Sequence, residues 1–310
     1  MPSQEKESDI CNSRFSTVEN IHAYLRNDDI DKKIKKVMKI LVFTGGLGNQ
    51  IFEYAFLCHL RSCFPNESFF GHYGKKLKEH YGLEINRWFD VSLPKEKWWV
   101  LPMVGLFYFY KQLFPKSKWL DLYQREWKNK DAIVFFPFKF TKQYFPKRQN
   151  WLWWKVDEDT LNQKNKELLE LIKREETCFV HVRRGDYLSP SFKALFKDCC
   201  TAEYYKIAIE LMRKKCPQIR FICFSDDLAW LKSNLYVGDD AVFVDWNVGE
   251  NSPLDMYLMS QCRNGIMANS SFSYWGAYLG AKKKVVIYPL RWWNNNDGNP
   301  DIFMNEWIGL

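Results

Sequence analysis

The sequence predicts an α/β chain built on parallel, doubly wound sheet, and three observations carry that expectation. At 310 residues the chain exceeds an ordinary single domain, so two domains or one large α/β unit are expected, with ample length for a buried core. The apolar run Met38–Phe43 breaks into Thr44-Gly45-Gly46-Leu47-Gly48-Asn49-Gln50 and resumes as an apolar helical stretch, Ile51 to Leu60, which reads as strand, glycine turn and buried helix. From Thr177 onward short apolar runs alternate with helical segments, the arrangement that joins parallel strands through crossover helices.

Each element follows from its own pattern. Thr177 to Val182 reads as a strand, and Thr201 to Cys216 as a helix with Tyr205, Ala208, Ile209, Met212 and Cys216 on one face. Strands are expected at Phe221–Phe224, Val242–Val244, Gly265–Ala268 and Val285–Tyr288. Ser252-Pro253-Leu254-Asp255 offers an N-cap, a proline at the first helical position and an acidic third one, opening a helix through Cys262; Ser273 to Leu279 forms another. The aromatic, lysine-rich stretch 61–150 has weak periodicity and no assignable elements. Residues 1–37 are a polar extension ending in Lys32, Lys33, Lys35 and Lys36, and the charged helical stretch 157–176 marks a boundary. The expected domains are therefore 38–170 and 171–310. A chain beginning at Met38 is expected to keep its folding and turnover, which an activity assay of that truncation checks.

Composition narrows the function classes. Lys plus Arg number 45 against 37 Asp plus Glu, a net charge of +8 that favours an anionic partner without choosing among nucleic acid, membrane and phosphate-bearing small molecule. The basic residues are scattered, which argues against a nucleic-acid stripe. Nine cysteines with no CxxC pair fit neither a disulfide framework nor a zinc ribbon and suit a reducing cytoplasm. The polar start Met1–Asp9 lacks the pattern of an export signal. The most apolar run, Trp98 to Tyr110, contains Pro102 and Gly105 and falls short of the ~20 residues that cross a bilayer. It reads as a buried or capping segment, and with Lys111, Lys116 and Lys118 it also admits peripheral membrane contact.

In open parallel sheets ligands bind beyond the carboxyl ends of the strands, so the loops there carry the candidate site. They are His181-Val182-Arg183-Arg184-Gly185-Asp186-Tyr187, Ser225-Asp226-Asp227 and Asn269-Ser270-Ser271-Phe272-Ser273. The last precedes a helix, whose N–H groups and serine hydroxyls suit phosphate oxygens, and the paired arginines supply fork-shaped donors. Taken singly, each is also an ordinary ion pair or helix cap. The glycine turn is no dinucleotide fingerprint, since Ile51 stands where the third glycine belongs, and it lacks the Gly-Lys-Ser/Thr of a phosphate loop. Gly45, Gly46 and Gly48, with Asn49 and Gln50, fit a turn bringing backbone to a ligand as well as a structural bend.

Four segments together carry a resemblance: Gly45-Gly46-Leu47-Gly48-Asn49-Gln50-Ile51-Phe52-Glu53-Tyr54-Ala55-Phe56, the His181–Tyr187 loop, Phe224-Ser225-Asp226-Asp227 and Met259 through Ala277. Their order is similar to that of the α-1,2-fucosyltransferases, glycosyltransferase family 11, from about residue 38 to 307, with Pro289 to Trp292, Asp297, Pro300 and Trp307 resembling the family's ending. The resemblance implies a GT-B-like fold of two Rossmann-type domains facing a central cleft, 38–170 on the acceptor side and 171–310 binding the GDP-sugar. It implies GDP-β-L-fucose as donor, transfer with inversion to the 2-hydroxyl of a terminal galactose on an oligosaccharide or lipid-linked glycan, and no required metal or other cofactor. On this view Arg183 meets the departing diphosphate, and His181, Arg184, Asp226, Asn269, Ser270, Ser271 and Phe272 line the donor site. Arg184 and Asp186 fix their loop through an ion pair, and Asp186 is the candidate base beside deprotonation assisted by the substrate. Arg263-Asn264-Gly265 replaces the family's usual Lys-His-Asn, and Tyr274 replaces the first Trp of a Trp-Trp pair. Lacking the membrane anchor of animal members, the chain resembles the soluble bacterial type, expected in the cytoplasm or at a membrane periphery. The competing readings are transfer of another nucleotide-activated sugar and, from a different class, a non-catalytic binder of anionic glycan or nucleic acid.

Overall fold

The computed structural model describes residues 38–310 apart from 75–76, 78–79, 114–122, 125–131, 137–139, 147–150, 281–282 and 295–298. The 1–37 extension, Lys116, Lys118 and Asp297 lie outside the described residues. Two compact units result. One draws its described residues from Met1–Val42, Leu60–His72 and Pro94–Phe138, the other from Phe43–His59, Tyr73–Leu93 and Lys139–Leu310. This differs from the expected division at 170, because the first helix joins the second unit.

The first unit holds a parallel sheet of β1 (Met38–Val42), β2 (Ser68–His72), β3 (Tyr123–Gln124) and β4 (Val134–Phe135), in the order β2-β1-β4-β3. Ile40, Val42, Ile133 and Val134 pack with Val100, Val104 and Phe107 of a helix at Val100–Leu113. The apolar run at 98–110, expected as a buried or capping segment, is buried along one side only: Leu101, Leu106, Tyr108 and Phe109 on its other side stay exposed. Lys39, fully buried in the interior strand β1, donates to the Ala132 carbonyl at 2.9 Å and pairs with Glu67 at 3.3 Å, so its charge is satisfied there.

In the second unit β5 (Thr177–Val182), β6 (Arg220–Ser225), β7 (Val242–Val244), β8 (Asn264–Ile266), β9 (Val285–Tyr288) and β10 (Ile308–Gly309) form an all-parallel sheet, order β10-β9-β8-β5-β6-β7. Every residue of β5 is buried, as a central strand covered on both faces requires. The helices are α1 (Leu47–Cys63, of which Leu47–His59 belongs to this unit), α2 (Ile85–Trp88), α3 (Val100–Leu113, the first unit's helix), α4 (Gln163–Arg174), α5 (Lys193–Phe196), α6 (Ala202–Lys215), α7 (Leu228–Asn234), α8 (Pro253–Gln261) and α9 (Ser271–Tyr278). Thr201 caps α6, accepting from the Tyr204 N–H at 3.2 Å, and Tyr204, Tyr205, Ala208, Ile209 and Met212 line its buried face as the periodicity predicts. Ser252 does not cap α8: it is already helical, ending a short 3₁₀ turn at Gly249–Asn251.

Asp255 of α8 is bound instead into a buried polar cluster. It accepts from Asn247 Nδ2 at 2.8 Å; Asn247 exchanges hydrogen bonds with Asn165 of α4 at 2.8 and 3.0 Å, and Trp246 Nε1 donates to Asn165 at 2.7 Å. Burial pushes the Asp255 carboxyl up to about 7, against the opposing effect of the Asn247 hydrogen bond. A raised folded pKa means the native state holds the proton while the unfolded chain has already lost it, so stability falls as pH climbs from the normal carboxylate range through about 7. Thermal melts of wild type and Asp255→Asn at pH 5 to 8.5 are expected to converge at low pH and separate at high pH, with the variant the more stable.

Candidate active site

The strand order contains a switch point. From β5 the chain moves outward through β6 and β7, then returns to place β8 on the other flank of β5. Ligands of doubly wound sheets bind beyond the carboxyl ends of such a pair, and those ends carry residues 183–187 and 267–272. The loops touch: Tyr187 donates to the Asn269 carbonyl at 2.9 Å, and the His181 ring lies 5.8 Å from that of Phe272.

Carboxylates from the neighbouring loops preorganise the arginine turn. Asp226 accepts from the backbone N–H groups of Arg184 and Gly185 at 2.8 and 3.0 Å, and its carboxylate stands 3.2 Å from Arg183 Nε. A β-carbon on Gly185 would lie 2.9 Å from Asp226 Oδ2, so this approach requires glycine. Asp186 accepts from Arg183 Nε at 2.9 Å. The expected Arg184–Asp186 ion pair is therefore replaced: Asp186 holds Arg183, while Arg184 pairs with Asp227 at 3.3 Å and stacks 4.1 Å over Trp230 of α7. The reason is geometric, because Asp227 caps α7 through the Trp230 N–H and so lies beneath Arg184. Burial alone would weaken protonation of Arg183, but Asp226 and Asp186 outweigh it and hold the guanidinium charged. All its hydrogen bonding runs through Nε; among the described residues its terminal nitrogens donate none.

Arg183, Arg184, Tyr187, Trp230 and Asn269 line a cavity of about 160 Å³. His181, at the end of β5, is buried and neutral: burial, reinforced by the Arg183 charge, drives its pKa down to about 3, and its Nδ1 has no hydrogen-bond partner among the described residues. Tyr205 and Tyr204 of α6 bond the His181 and Met267 carbonyls at 3.1 and 2.7 Å, anchoring both strand ends. Asn269 is used at both ends of its amide, donating to Trp292 and accepting from Cys200, and buried Ser270 approaches Tyr187. Asp226 thus shapes the arginine loop, and Asn269 borders the cavity with both ends of its amide already engaged.

The glycine segment differs from a free loop. Gly45 and Gly46 form the turn, but α1 begins at Leu47, so Gly48, Asn49 and Gln50 lie in its first turn. Gln50 donates to the Gly45 and Gly82 carbonyls and accepts from the N–H groups of Glu84 and Ile85, and Glu84 accepts from the Leu47 N–H at 3.0 Å. Glu53, fully buried, accepts from both the N–H and the hydroxyl of Thr44; burial raises its carboxyl well above the usual range. Asn49 accepts from the Ser271 hydroxyl at 2.8 Å, and a β-carbon on Gly48 would sit 2.7 Å from the backbone of Ser271 and Phe272. The start of α1 therefore abuts the start of α9, and Ser271 holds that junction instead of standing open as an anion donor. Tyr187, Trp230, Glu53 and Glu84 were not singled out by sequence reasoning, although the first two follow the arginine and aspartate motifs closely.

The two departures from the resemblance are structural. Asn264 begins β8, at the edge of the sheet remote from the strand carboxyl ends, donating to Glu176 at 2.7 Å. Tyr274 is buried in α9 and donates to the Ile302 carbonyl at 2.9 Å. Among the described residues no group of three or more His, Cys, Asp or Glu side chains could hold a metal ion.

The sequence profile of Glycosyl transferase family 11 matches residues 138–310, which takes in every strand of this sheet and all three loops. The chain belongs to glycosyltransferase family 11. It is 30% identical over 297 residues, 88% of its length and 99% of the relative's, to an alpha-1,2-colitosyltransferase of Escherichia coli. It is 33% identical over 161 residues to the O-antigen biosynthesis glycosyltransferase WbnK of Escherichia coli, covering 50% of this chain and 52% of WbnK, and so spans about half of that protein. With galactoside alpha-(1,2)-fucosyltransferase 2 of Bos taurus it shares 29% identity over 109 residues, 35% of this chain and 32% of the bovine one. Family membership makes it fucosyltransferase-like. No helix among the described residues is long and apolar enough to cross a membrane.

Proposed function

We propose that this family 11 chain transfers L-fucose from GDP-β-L-fucose, with inversion, to the 2-hydroxyl of a terminal galactose on an oligosaccharide or lipid-linked glycan. One observation carries the reading: Arg183, at the β5/β8 switch point, is fixed at Nε by two carboxylates and leaves its terminal nitrogens for an anion. As the acceptor hydroxyl attacks the anomeric carbon, the bond to the β-phosphate oxygen breaks, the hydroxyl proton passes to solvent, and negative charge builds on the departing GDP. A guanidinium already charged and oriented stabilises that charge without reorganising. His181, neutral and with an unpaired buried nitrogen, borders the same position. Asp186 is engaged by Arg183, so we assign it to orienting the guanidinium rather than to taking the acceptor proton.

The relative that matches along most of the chain supports a second reading, transfer of colitose, which is fucose without its 3-hydroxyl. Assaying GDP-fucose and GDP-colitose in turn against lactose, N-acetyllactosamine and galacto-N-biose, with linkage analysis of the products, decides between them. An α-1,2-linked product from GDP-fucose at the higher kcat/KM is expected; a preference for GDP-colitose, or no transfer from either, overturns the proposal. The proposed reaction needs no metal, so dialysis against EDTA is expected to leave turnover unchanged, and a strict requirement for added Mn²⁺ would count against it.

A further inference from the structure

Helix α3, VLPMVGLFYFYKQL, is apolar on every side until Lys111 and Gln112 in its last turn, which is unusual for a helix with only one face in a core. Val100, Val104 and Phe107 turn inward onto the sheet of the first unit. The opposite face is open: Leu101, Leu106, Tyr108, Phe109 and Leu113 each expose between 55% and 61% of their surface. Two tryptophans divide at its start, Trp99 packing edge-on against Phe70 while Trp98 is 87% exposed. Apolar side chains this large, contiguous and uncovered mark a docking surface.

We infer that this face of α3 seats on the surface of an anionic lipid bilayer. Three features favour a membrane over a protein partner. Among the described side chains the face offers hydrocarbon and aromatic rings with only Gln112 and the Tyr108 hydroxyl as polar groups, whereas protein interfaces carry about one hydrogen bond per 100–200 Å². Lys95 and Lys97, both exposed, lie just before Trp98, and Glu96 between them is engaged by His72 at 2.7 Å, so two cations and an amphipathic indole stand together at the edge of the apolar face, where lipid headgroups would lie, on a chain of net charge +8. Finally, 14 residues give a rod of about 21 Å, too short to span a bilayer but suited to lying in its interface. The inference does not depend on which sugar is transferred.

The test is co-sedimentation of the full chain with phosphatidylcholine vesicles, with and without phosphatidylglycerol. Wild type is expected to pellet with the mixed vesicles and to be released by high salt, and Leu106→Glu/Phe109→Glu to partition at least about tenfold more weakly. Should that variant fail to fold by circular dichroism, Lys95→Glu/Lys97→Glu, altering two exposed side chains, is expected to lose binding to the mixed vesicles. Wild type remaining in the supernatant with both lipids overturns the proposal, as does a folded variant of either kind that pellets like wild type. Light scattering that shows a wild-type dimer dissociated by the glutamate substitutions would assign the face to a second copy of the chain, and overturn it too.

Discussion

Arg183→Lys is expected to lower kcat about 10²–10³-fold, the usual cost of removing one preorganised donor from a developing oxyanion. The ammonium keeps the charge but not the geometry. In the wild type Nε is held between Asp186 and Asp226 while the terminal nitrogens donate to neither, and lysine has no second set of donors to divide in this way. Its single nitrogen would settle on the carboxylates and leave the diphosphate uncontacted. Because Asp226 still accepts from the Arg184 and Gly185 N–H groups, the loop should keep its shape, and the thermal midpoint should move little. Steady-state kinetics beside a melting curve checks both halves. Near-normal turnover would transfer the diphosphate contact to Arg184, and a parallel collapse of stability would make Arg183 a structural residue.

Trp275→Ala should produce the largest loss of stability, about 3–5 kcal/mol. The indole is fully buried in α9, packs within 4.6 Å of Phe52 and 5.4 Å of Phe145, meets Trp151 and Tyr278 edge-on, and donates from Nε1 to the Gly48 carbonyl at 2.8 Å. Alanine leaves a cavity and removes the indole's hydrogen bond to the Gly48 carbonyl. Trp275→Phe retains most of the packing and loses only the hydrogen bond, so its cost should stay near 1–3 kcal/mol. Urea unfolding of the three proteins separates the two contributions, and equal midpoints for Trp275→Ala and wild type would remove α9 from the core.

The second unit was legible in the sequence wherever period and burial agree. β5 and β7 fall at the expected residues, and the inward face of α6 is the one its spacing marks. The candidate site was legible as a set of loops but not as a wiring diagram. Which of two adjacent arginines meets Asp186 depends on where Asp227 sits, and that is fixed by the cap of α7, a tertiary placement without a local signature. Gly48 was readable as a close approach, yet not as an approach to Ser271, which lies more than two hundred positions later. The stretch 61–150 resisted because β3 and β4 have two residues each, too few to display alternation, and β2, Ser-Phe-Phe-Gly-His, does not alternate. The apolar run at α3 was legible as a capping segment, but hydrophobicity does not say which of its sides meets the sheet.

The junction of Gly48 and Asn49 with Ser271 also sets an order of events on the ribosome. The second unit is discontinuous in the chain, with the segments of the first unit threaded between α1 and the body of its sheet. When α1 emerges, its apolar face has no partner, and the helix that receives it is synthesised only after more than two hundred further residues. Closing so long a loop is an entropic cost met late, and non-local contacts of this kind slow folding. The stretch matched by the family profile, 138–310, therefore omits α1 and with it the helix that covers Trp275. Chain released before its final third is made would carry α1 as an uncovered adhesive segment.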